Sequence, residues 1–224
     1  MSSWLLVVAS YLIGAIPASY VAGRMAKGID LREHGSGNLG ATNTFRVLGA
    51  KVAAPVMVFD ILKGTFPVVA FSRWDGSGDW RWELAYGAAA IVGHVFSIYM
   101  RFKGGKGVAT SAGVFGALAP VPLLLAFGVW LAVLKGMRMV SAASIMAAVT
   151  LAVLLWVLPS AGDAADPRTE VRVLGLVIAA FVVFAHRSNI GRILKGTEPR
   201  FGAKKEPEAT VAAAAVTADA ETAE

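Results

Sequence analysis

Three polar stretches of the sequence carry the residue types that bind phosphate. They are GSGNLGATNTFR from Gly35, GHVFSIYMRFKGGKGVAT from Gly93 and HRSNIGRILKGTE from His186. Glycine lets a backbone approach a ligand closely, so consecutive N–H groups can surround an anion. Arginine adds a planar guanidinium that can donate two parallel hydrogen bonds to a phosphate. The pattern predicts an anion site, and a flexible glycine loop is the alternative for the first stretch.

The second stretch combines glycines with two lysines. Lys103 and Lys106 flank a Gly-Gly pair, and a helix is predicted to begin near Gly107. A helix N-terminus carries roughly half a positive charge, which favours an anion there. The spacing is not that of a nucleotide-binding P-loop, because Met100 stands where that motif requires glycine. Phosphate binding without a nucleotide fold is one interpretation, and a basic turn facing lipid headgroups is the other.

The third stretch has a helical spacing. His186, Asn189 and Arg192 recur every three residues, so on a helix they share one face and their donors converge. A histidine satisfied at the membrane interface is the alternative for His186. Glu198 could pair with a cation or orient a hydroxyl, or it could be a solvated tail carboxylate. Ser141, at the start of another helix, suits a helix N-cap and a phosphate contact equally.

Some charges are expected to have structural or surface roles. Asp60 and Lys63 lie three residues apart within an apolar segment. Charges inside a membrane are functional candidates by default, but mutual pairing is sufficient reason for these two, and we favour it. Arg187 and Lys195 are expected to be solvated or to face headgroups.

The elements that position these stretches are predicted to be membrane helices. Of 224 residues, 56% are hydrophobic and 16% are charged, and the mean hydropathy is +0.63. Apolar runs of about 17 to 25 residues cross a bilayer core of roughly 30 Å as helix. We therefore predict an all-α polytopic membrane protein with about seven transmembrane helices, forming one domain over residues 1–202. The apolar segments are residues 3–23, 50–72, 84–100, 107–118, 121–134, 140–158 and 171–186.

Three further features concern the length of the fourth segment, the absence of cysteine and the C-terminal residues. The fourth segment has twelve residues and reaches only about 18 Å as helix, so it is either a partial helix or one arm of a hairpin. The chain has no cysteine, which excludes disulfides, thiolate metal sites and cysteine nucleophiles. Residues 203–224 are Ala-rich and polar without period, which predicts a disordered cytoplasmic tail.

The distribution of Lys and Arg predicts the orientation. If the N-terminus is outside and all seven segments cross, the loops 24–51, 101–106 and 135–138 and the tail from 187 share the cytoplasmic face. These four regions carry 16 of the 21 Lys and Arg residues, and the two outer loops carry four. Cytoplasmic loops are enriched in these residues. All three polar stretches then lie on the cytoplasmic side.

Taken together, the three stretches resemble the bacterial acyl-phosphate:glycerol-3-phosphate acyltransferase family, whose members are integral enzymes of the bacterial plasma membrane. The resemblance covers residues 1 to about 202. It implies that the 1-hydroxyl of glycerol 3-phosphate attacks the carbonyl of a long-chain acyl phosphate, which gives 1-acylglycerol 3-phosphate and inorganic phosphate. Both substrates carry phosphate, and the acyl chain can lie among membrane lipids.

The resemblance also assigns residues to the site. Lys106 and Arg46 would bind phosphate, and His186 and Asn189 would orient glycerol phosphate or its hydroxyl. The other substrate- and phosphate-binding residues would be Ser36, Gly37, Asn38, Gly40, Thr42, Asn43, His94, Gly104, Gly105, Gly107, Thr110, Ser141, Arg192 and Glu198. Three positions depart from the family pattern: Ser97 replaces a usual proline, Ser188 an acidic residue and Gly191 a basic one.

An acyl phosphate is already activated, so we expect no covalent nucleophile, no cofactor and no metal. The proton acceptor is left open between His186 and the oxygens of the acyl phosphate itself, with a slight preference for the substrate. No histidine is followed five residues later by aspartate, which disfavours the route of the soluble-type acyltransferases. An organic-phosphate transporter and an acyl-phosphate phosphatase are the rival functions, and no nucleic-acid partner is expected.

Overall fold

The computed structural model describes residues 1–158 and 169–202, and within these ranges the chain is helical without any strand. The helices of the described ranges are α1 (Ser3–Ala15), α2 (Ala18–Lys27), α3 (Ala41–Leu48), α4 (Ala50–Phe66), α5 (Ser72–Trp74), α6 (Arg81–Val95), α7 (Val108–Leu118), α8 (Pro120–Met137), α9 (Val140–Val157), α10 (Thr169–Ala185) and α11 (Arg187–Leu194). A π-helical turn, Pro67–Phe71, joins α4 to α5. The predicted tail at 203–224 lies outside the described residues.

Within the described residues, five stretches are long and apolar enough to cross a membrane: Ser3–Lys27, Ala50–Trp74, Arg81–Met100, Pro120–Met137 and Val140–Val157. A sixth is added if α10 and α11, which are bent by 56° at a short break, form one span. Helix α7 has 11 residues, which reach only about 16 Å. The chain is therefore an all-α polytopic membrane protein, and the predicted fourth segment is a short helix.

The first predicted segment, residues 3–23, is two helices rather than one. Pro17 lacks the N–H that a continuous helix needs, and the chain breaks between Ala15 and Ala18. Carbonyl groups freed by such a break must find partners, because membrane interiors offer no water. Lys63 Nζ donates to the Ile16 carbonyl at 2.9 Å, and Ser97 Oγ donates to the Ala15 carbonyl at 2.5 Å. Ser97, one of the departures from the family pattern, therefore stabilises this break.

The third predicted segment, residues 84–100, is also only partly one helix, because α6 ends at Val95. The chain then folds back, and the N–H groups of Gly104 and Gly105 donate to the Val95 and His94 carbonyls at 2.9 and 3.1 Å. The reversal uses Arg101 and Phe102 in the left-handed region, at φ of 54° and 61°. As a result α7 begins beside the end of α6, inside the bundle.

Glycines allow two helix pairs to approach very closely. A Cβ added at Gly64 on α4 would collide with the Thr110 carbonyl of α7, and one added at Gly93 on α6 would collide with the Tyr11 carbonyl of α1. Small residues at such crossings are typical of membrane helices, where backbone contact replaces the hydrophobic effect. The α4–α7 crossing fixes the position of the start of α7 along the axis of α4.

Two groups of contacts lie at opposite ends of the helical bundle. At one end the N-terminal ammonium donates to the Trp74 carbonyl at 3.1 Å, and Tyr86 donates to Asp75 at 2.8 Å. Arg81 also lies 3.8 Å from Glu170 there. At the opposite end, which we call the site end, the three polar stretches meet the start of α9.

Candidate active site

A cavity of 890 Å³ opens at the site end and extends into the bundle. Fifteen of the eighteen predicted site residues line it, drawn from all three polar stretches and from α9. The three that do not are Gly104, Gly105 and Thr110. The polar stretches therefore line one cavity, although they are separated by about 50 and 75 residues in the chain.

Asn43 shapes the first stretch. Its side chain is 1% exposed, its Oδ1 accepts from the Ser36 N–H at 2.8 Å, and its Nδ2 donates to the Leu31 and His34 carbonyls at 3.1 and 3.0 Å. These bonds occupy the amide that the sequence assigned to phosphate. Asn43 thus borders the cavity mainly as the residue that fixes the loop around it.

An ion pair that the sequence analysis missed anchors the start of the same loop. Arg32 Nη2 lies 2.6 Å from Asp30 Oδ2, and Arg32 Nε and N–H also donate to the Asp30 carboxylate. The Arg32 hydrogen bond lowers the pKa of Asp30 to about 2, against the opposing effect of burial. A D-x-R spacing after the glycine at the end of α2 is the signal that could have indicated it.

Lys106 lies at the centre of the polar part of the cavity. It follows the Gly-Gly pair, precedes Gly107, whose φ of 77° starts α7, and donates from Nζ to Asn189 Oδ1 of α11. Burial lowers the pKa of Lys106 to about 8; the Glu198 carboxylate raises it, and the charges of Arg192, Arg46 and Arg187 lower it further. A cluster of cations surrounds this lysine, as a site for more than one anion requires.

Arg187 is one of those cations, and it is exposed, as expected of a surface charge. The residue lines the cavity, its Nη1 donates to the Phe184 carbonyl at 3.2 Å, and its guanidinium lies over the Phe184 ring at 4.4 Å.

Glu198 joins the third stretch to α9. The Ser141 hydroxyl and Asn189 Nδ2 both donate to Glu198 Oε1 at 2.7 Å, and Arg192 Nε donates to Oε2 at 2.7 Å. Burial alone would raise the pKa of the Glu198 carboxyl, but these hydrogen bonds hold that pKa below its usual value. The shared helical face of Asn189 and Arg192 is present as predicted. The N-cap interpretation of Ser141 is wrong, since Met139 is the N-cap of α9.

His186 lies at the junction of α10 and α11 and is 5% exposed. Its Nδ1 is 2.8 Å from the Val182 carbonyl. A carbonyl can only accept, so Nδ1 carries the hydrogen and Nε2 keeps a free electron pair. The ring lines the cavity, and Nε2 is the ring nitrogen that can accept a proton.

The remaining predicted residues lie behind the cavity wall or at its edge. Gly104 and Gly105 pack on the end of α6, where a Cβ on either would collide with backbone or with the His94 ring. Thr110 is fully buried in the α4–α7 crossing. Ser111, which the sequence analysis did not select, is buried and lines the cavity, and its hydroxyl has no hydrogen-bond partner among the described residues.

Away from the polar end the cavity becomes apolar. Its walls there include Ile61 of α4, Ala112 of α7, Trp130 of α8 and Leu151 of α9. Two other lining side chains, Met57 and Phe127, are 45% and 51% exposed on the lipid-facing surface. The groove therefore reaches the membrane side of the bundle between α4 and α8.

The fold and the site together define an integral membrane protein with a cation-lined polar cavity that continues into an apolar groove. A family model described as glycerol-3-phosphate acyltransferase matches residues 4–196. The chain belongs to the glycerol-3-phosphate acyltransferase family, as its three polar stretches predicted.

Curated relatives and solved structures agree with this assignment. A glycerol-3-phosphate acyltransferase of Halalkalibacterium halodurans is 42% identical over 203 residues, which cover 91% of this chain and 97% of the relative. One of Synechococcus elongatus is 43% identical over 199 residues, with 86% and 91% covered. A crystal structure of PlsY, an integral membrane glycerol 3-phosphate acyltransferase, in its glycerol 3-phosphate form has 40% identity and a TM-score of 0.77, covering 89% of this chain and 96% of that one. The lysophosphatidic acid form of PlsY gives 39% identity and a TM-score of 0.76, covering 89% and 95%.

Proposed function

We propose that this protein transfers a fatty acyl group from a long-chain acyl phosphate to the 1-hydroxyl of glycerol 3-phosphate. The products are 1-acylglycerol 3-phosphate and inorganic phosphate, and the reaction is the first acylation of phospholipid synthesis. The observation that carries the proposal is the continuity of the cavity, which joins a cation-rich polar end to an apolar groove. A molecule with a phosphate at one end and an acyl chain at the other matches both parts.

The cations at the polar end suit two phosphates at once. Lys106, Arg46, Arg187 and Arg192 lie close enough for their charges to interact, and ionised Glu198 offsets only part of their charge. Lys106 and Arg46 contact the phosphates and stabilise the charge that develops on the leaving phosphate. Ser36, Asn38 and Thr42, together with the glycine backbone of the first stretch, complete the wall opposite them.

Catalysis in this proposal depends mainly on position. Acyl phosphate is activated, so holding the hydroxyl oxygen in attack geometry at its carbonyl carbon supplies several kcal/mol of the barrier, up to about 7 to 11. In place of the slight preference for the substrate, we assign the hydroxyl proton to His186 Nε2, because the Val182 carbonyl leaves this nitrogen as the acceptor of the ring. Asn189 positions Lys106 on one side and binds Glu198 on the other.

Replacing His186 tests this assignment against proton transfer to the substrate's own oxygens. His186→Ala should lower kcat by about a hundredfold or more, the usual contribution of a general base, with little change in the KM for glycerol 3-phosphate. A variant that keeps most of its kcat would assign the proton to the acyl phosphate instead.

The proposed setting is the bacterial plasma membrane, with the active site facing the cytoplasm. Seven segments, counting α7 and the α10–α11 pair, would place the N-terminus outside and the C-terminus in the cytoplasm. The excess of Lys and Arg at the site end supports this orientation. The chain has no cysteine, so single cysteines at Ser77 and Lys135 can be labelled with an impermeant maleimide in intact cells. Labelling at Ser77 alone is expected, and labelling at Lys135 alone would reverse the orientation.

The decisive assay measures phosphate release from palmitoyl phosphate by the purified, detergent-solubilised protein, with and without glycerol 3-phosphate. We expect release that requires glycerol 3-phosphate, with 1-acylglycerol 3-phosphate identified by mass spectrometry. Release without the acceptor would indicate a phosphatase, and saturable glycerol phosphate binding without turnover would indicate a transporter. Equal rates with acyl-CoA or acyl carrier protein would refute the choice of donor.

A further inference from the structure

Asp60 and Lys63 of α4 are each 3% exposed within the bundle. Lys63 Nζ lies 2.7 Å from Asp60 Oδ1 and also donates to the Ile16 carbonyl at the α1–α2 break. Mutual pairing, which the spacing predicted, is therefore present. A second group lies near the same oxygen, because Asp60 Oδ1 also faces His94 of α6.

His94 fills the space between that carboxylate and the glycines before Lys106. Its Nδ1 lies 3.7 Å from Asp60 Oδ1, and the residue is 8% exposed. On the other side of the ring, a Cβ added at Gly105 would collide with His94 Nε2 and with the Leu39 carbonyl. The ring thus lies between Asp60 and the backbone of the second polar stretch.

The same histidine holds that backbone through its main chain. The His94 carbonyl accepts from the Gly105 N–H at 3.1 Å. Lys106 is the next residue, and its ammonium donates to Asn189 across the cavity. Any shift of the His94 ring or main chain therefore moves the attachment point of the central cation.

We propose that Asp60, Lys63 and His94 are positioning residues for acyl transfer, which hold Gly105 and thereby fix the ammonium of Lys106 against the phosphate. The inference rests on the proposed function. It gives His94, which also lines the cavity, the role of holding a phosphate-binding residue in place rather than of binding phosphate itself. A buried ion pair is weak evidence of stabilisation, because apolar residues often replace such pairs without loss. The position of Gly105 that Asp60 and Lys63 maintain explains why two charges lie within the membrane here.

The first test compares two substitutions of His94 in the full-length, detergent-solubilised protein. The measurements are the KM for palmitoyl phosphate, the inhibition constant of inorganic phosphate and the melting temperature. His94→Leu should raise both constants roughly tenfold or more, since small misplacements at a reacting centre have large effects. His94→Gln, which restores a polar nitrogen, should recover part of the loss. Thr65→Val is the control: it removes a hydrogen bond from α4 to the Gly113 carbonyl and should lower the melting temperature alone.

The second test asks whether the effect passes through Lys106. In a Lys106→Ala background, His94→Leu should cause no further change in the inhibition constant of phosphate, because coupled residues are not additive. The double variant Asp60→Asn/Lys63→Met removes both charges together, so it leaves no unpaired charge, and it should reproduce the rise in both constants.

Three results would overturn the inference. Lower melting temperatures with unchanged constants would leave the cluster a structural role only. An equal fold-change of His94→Leu with and without Lys106 would show that it does not act through that lysine. Loss of turnover with unchanged constants would place His94 in the chemistry itself. A wild-type protein without acyl transfer would instead refute the proposed function.

Discussion

Replacing Glu198 with glutamine should move the alkaline limit of activity to lower pH. The Glu198 carboxylate raises the pKa of Lys106, which burial lowers to about 8. Glutamine keeps the acceptor oxygen that Ser141 and Asn189 use but lacks the negative charge. With that charge gone, burial and the neighbouring arginines lower the pKa of Lys106 further.

The size of the change follows from the geometry. Asn189 bridges the two groups by hydrogen bonds, so their charges lie roughly 6 Å apart, and at an effective dielectric constant of about 20 they interact by about 3 kcal/mol. One pKa unit corresponds to about 1.4 kcal/mol, so the upper bound is about two units. Water and salt in the open cavity screen the pair, and we expect a shift of about one unit.

The assay is the initial rate of 1-acylglycerol 3-phosphate formation between pH 6 and 10, analysed as kcat/KM for the acyl phosphate. In the wild type this ratio should fall about tenfold per pH unit above about 8, where Lys106 loses its proton. Lys106→Arg should remove this limb, because arginine stays protonated. An unchanged limb in Glu198→Gln, or a limb near pH 8 that persists in Lys106→Arg, would refute the reasoning.

Stability should change in the opposite direction over the same range. The folded-state pKa of Lys106, about 8, lies below its ordinary value of 10.5, so between these values the unfolded chain binds more protons. The contribution of this group to the free energy of unfolding therefore increases as pH rises from about 8 to about 10.5. Relative to Lys106→Ala, the wild type should gain thermal stability on alkaline titration while it loses activity.

The remaining predictions concern packing. Gly105→Ala should lower kcat/KM by at least about a hundredfold, because its new methyl displaces the segment before Lys106. Gly191→Ala is the matched control. Its methyl meets nothing within 4 Å among the described residues, so its kcat/KM should stay near that of the wild type. Asn43→Ala should lower the free energy of unfolding by about 2 to 4 kcal/mol through loss of three hydrogen bonds; a change under 1 kcal/mol would contradict its assigned role. Gly64→Ala should lower the free energy of unfolding by about 1 to 3 kcal/mol. Gly128→Ala, with open space around its new methyl, should raise that free energy or leave it unchanged. Thermal unfolding in detergent measures both variants, and equal melting temperatures would contradict the close α4–α7 crossing.

The sequence predicted the parts of this structure that local patterns determine. Apolar runs located the membrane helices because a bilayer core demands a set length of apolar helix. The three-residue spacing in the third stretch placed Asn189 and Arg192 on one face, where both contact Glu198. Glycines and lysine in the second stretch indicated where the central cation would lie.

The rest could not be predicted because it depends on partners distant in sequence. One segment was predicted over residues 3–23, and only the folded chain shows the break at Pro17, with Lys63 donating to the Ile16 carbonyl. Gly104 and Gly105 were assigned to phosphate, whereas the structure packs both against the end of α6. Asn43 has its amide bound to loop carbonyls whose position no helical period encodes.

The groove reaches the lipid-facing surface at Met57 and Phe127. This opening determines whether the rate depends on the donor concentration in the membrane or in solution. A donor that enters from the bilayer is present as a mole fraction of the leaflet, and its product can return there without crossing water. The rate should then depend on the ratio of acyl phosphate to detergent or lipid rather than on its bulk molarity. Glycerol 3-phosphate, which arrives from the aqueous side, should obey ordinary saturation in solution. The protein would thus combine, at one site, a donor distributed in the two-dimensional membrane with an acceptor dissolved in the three-dimensional aqueous phase.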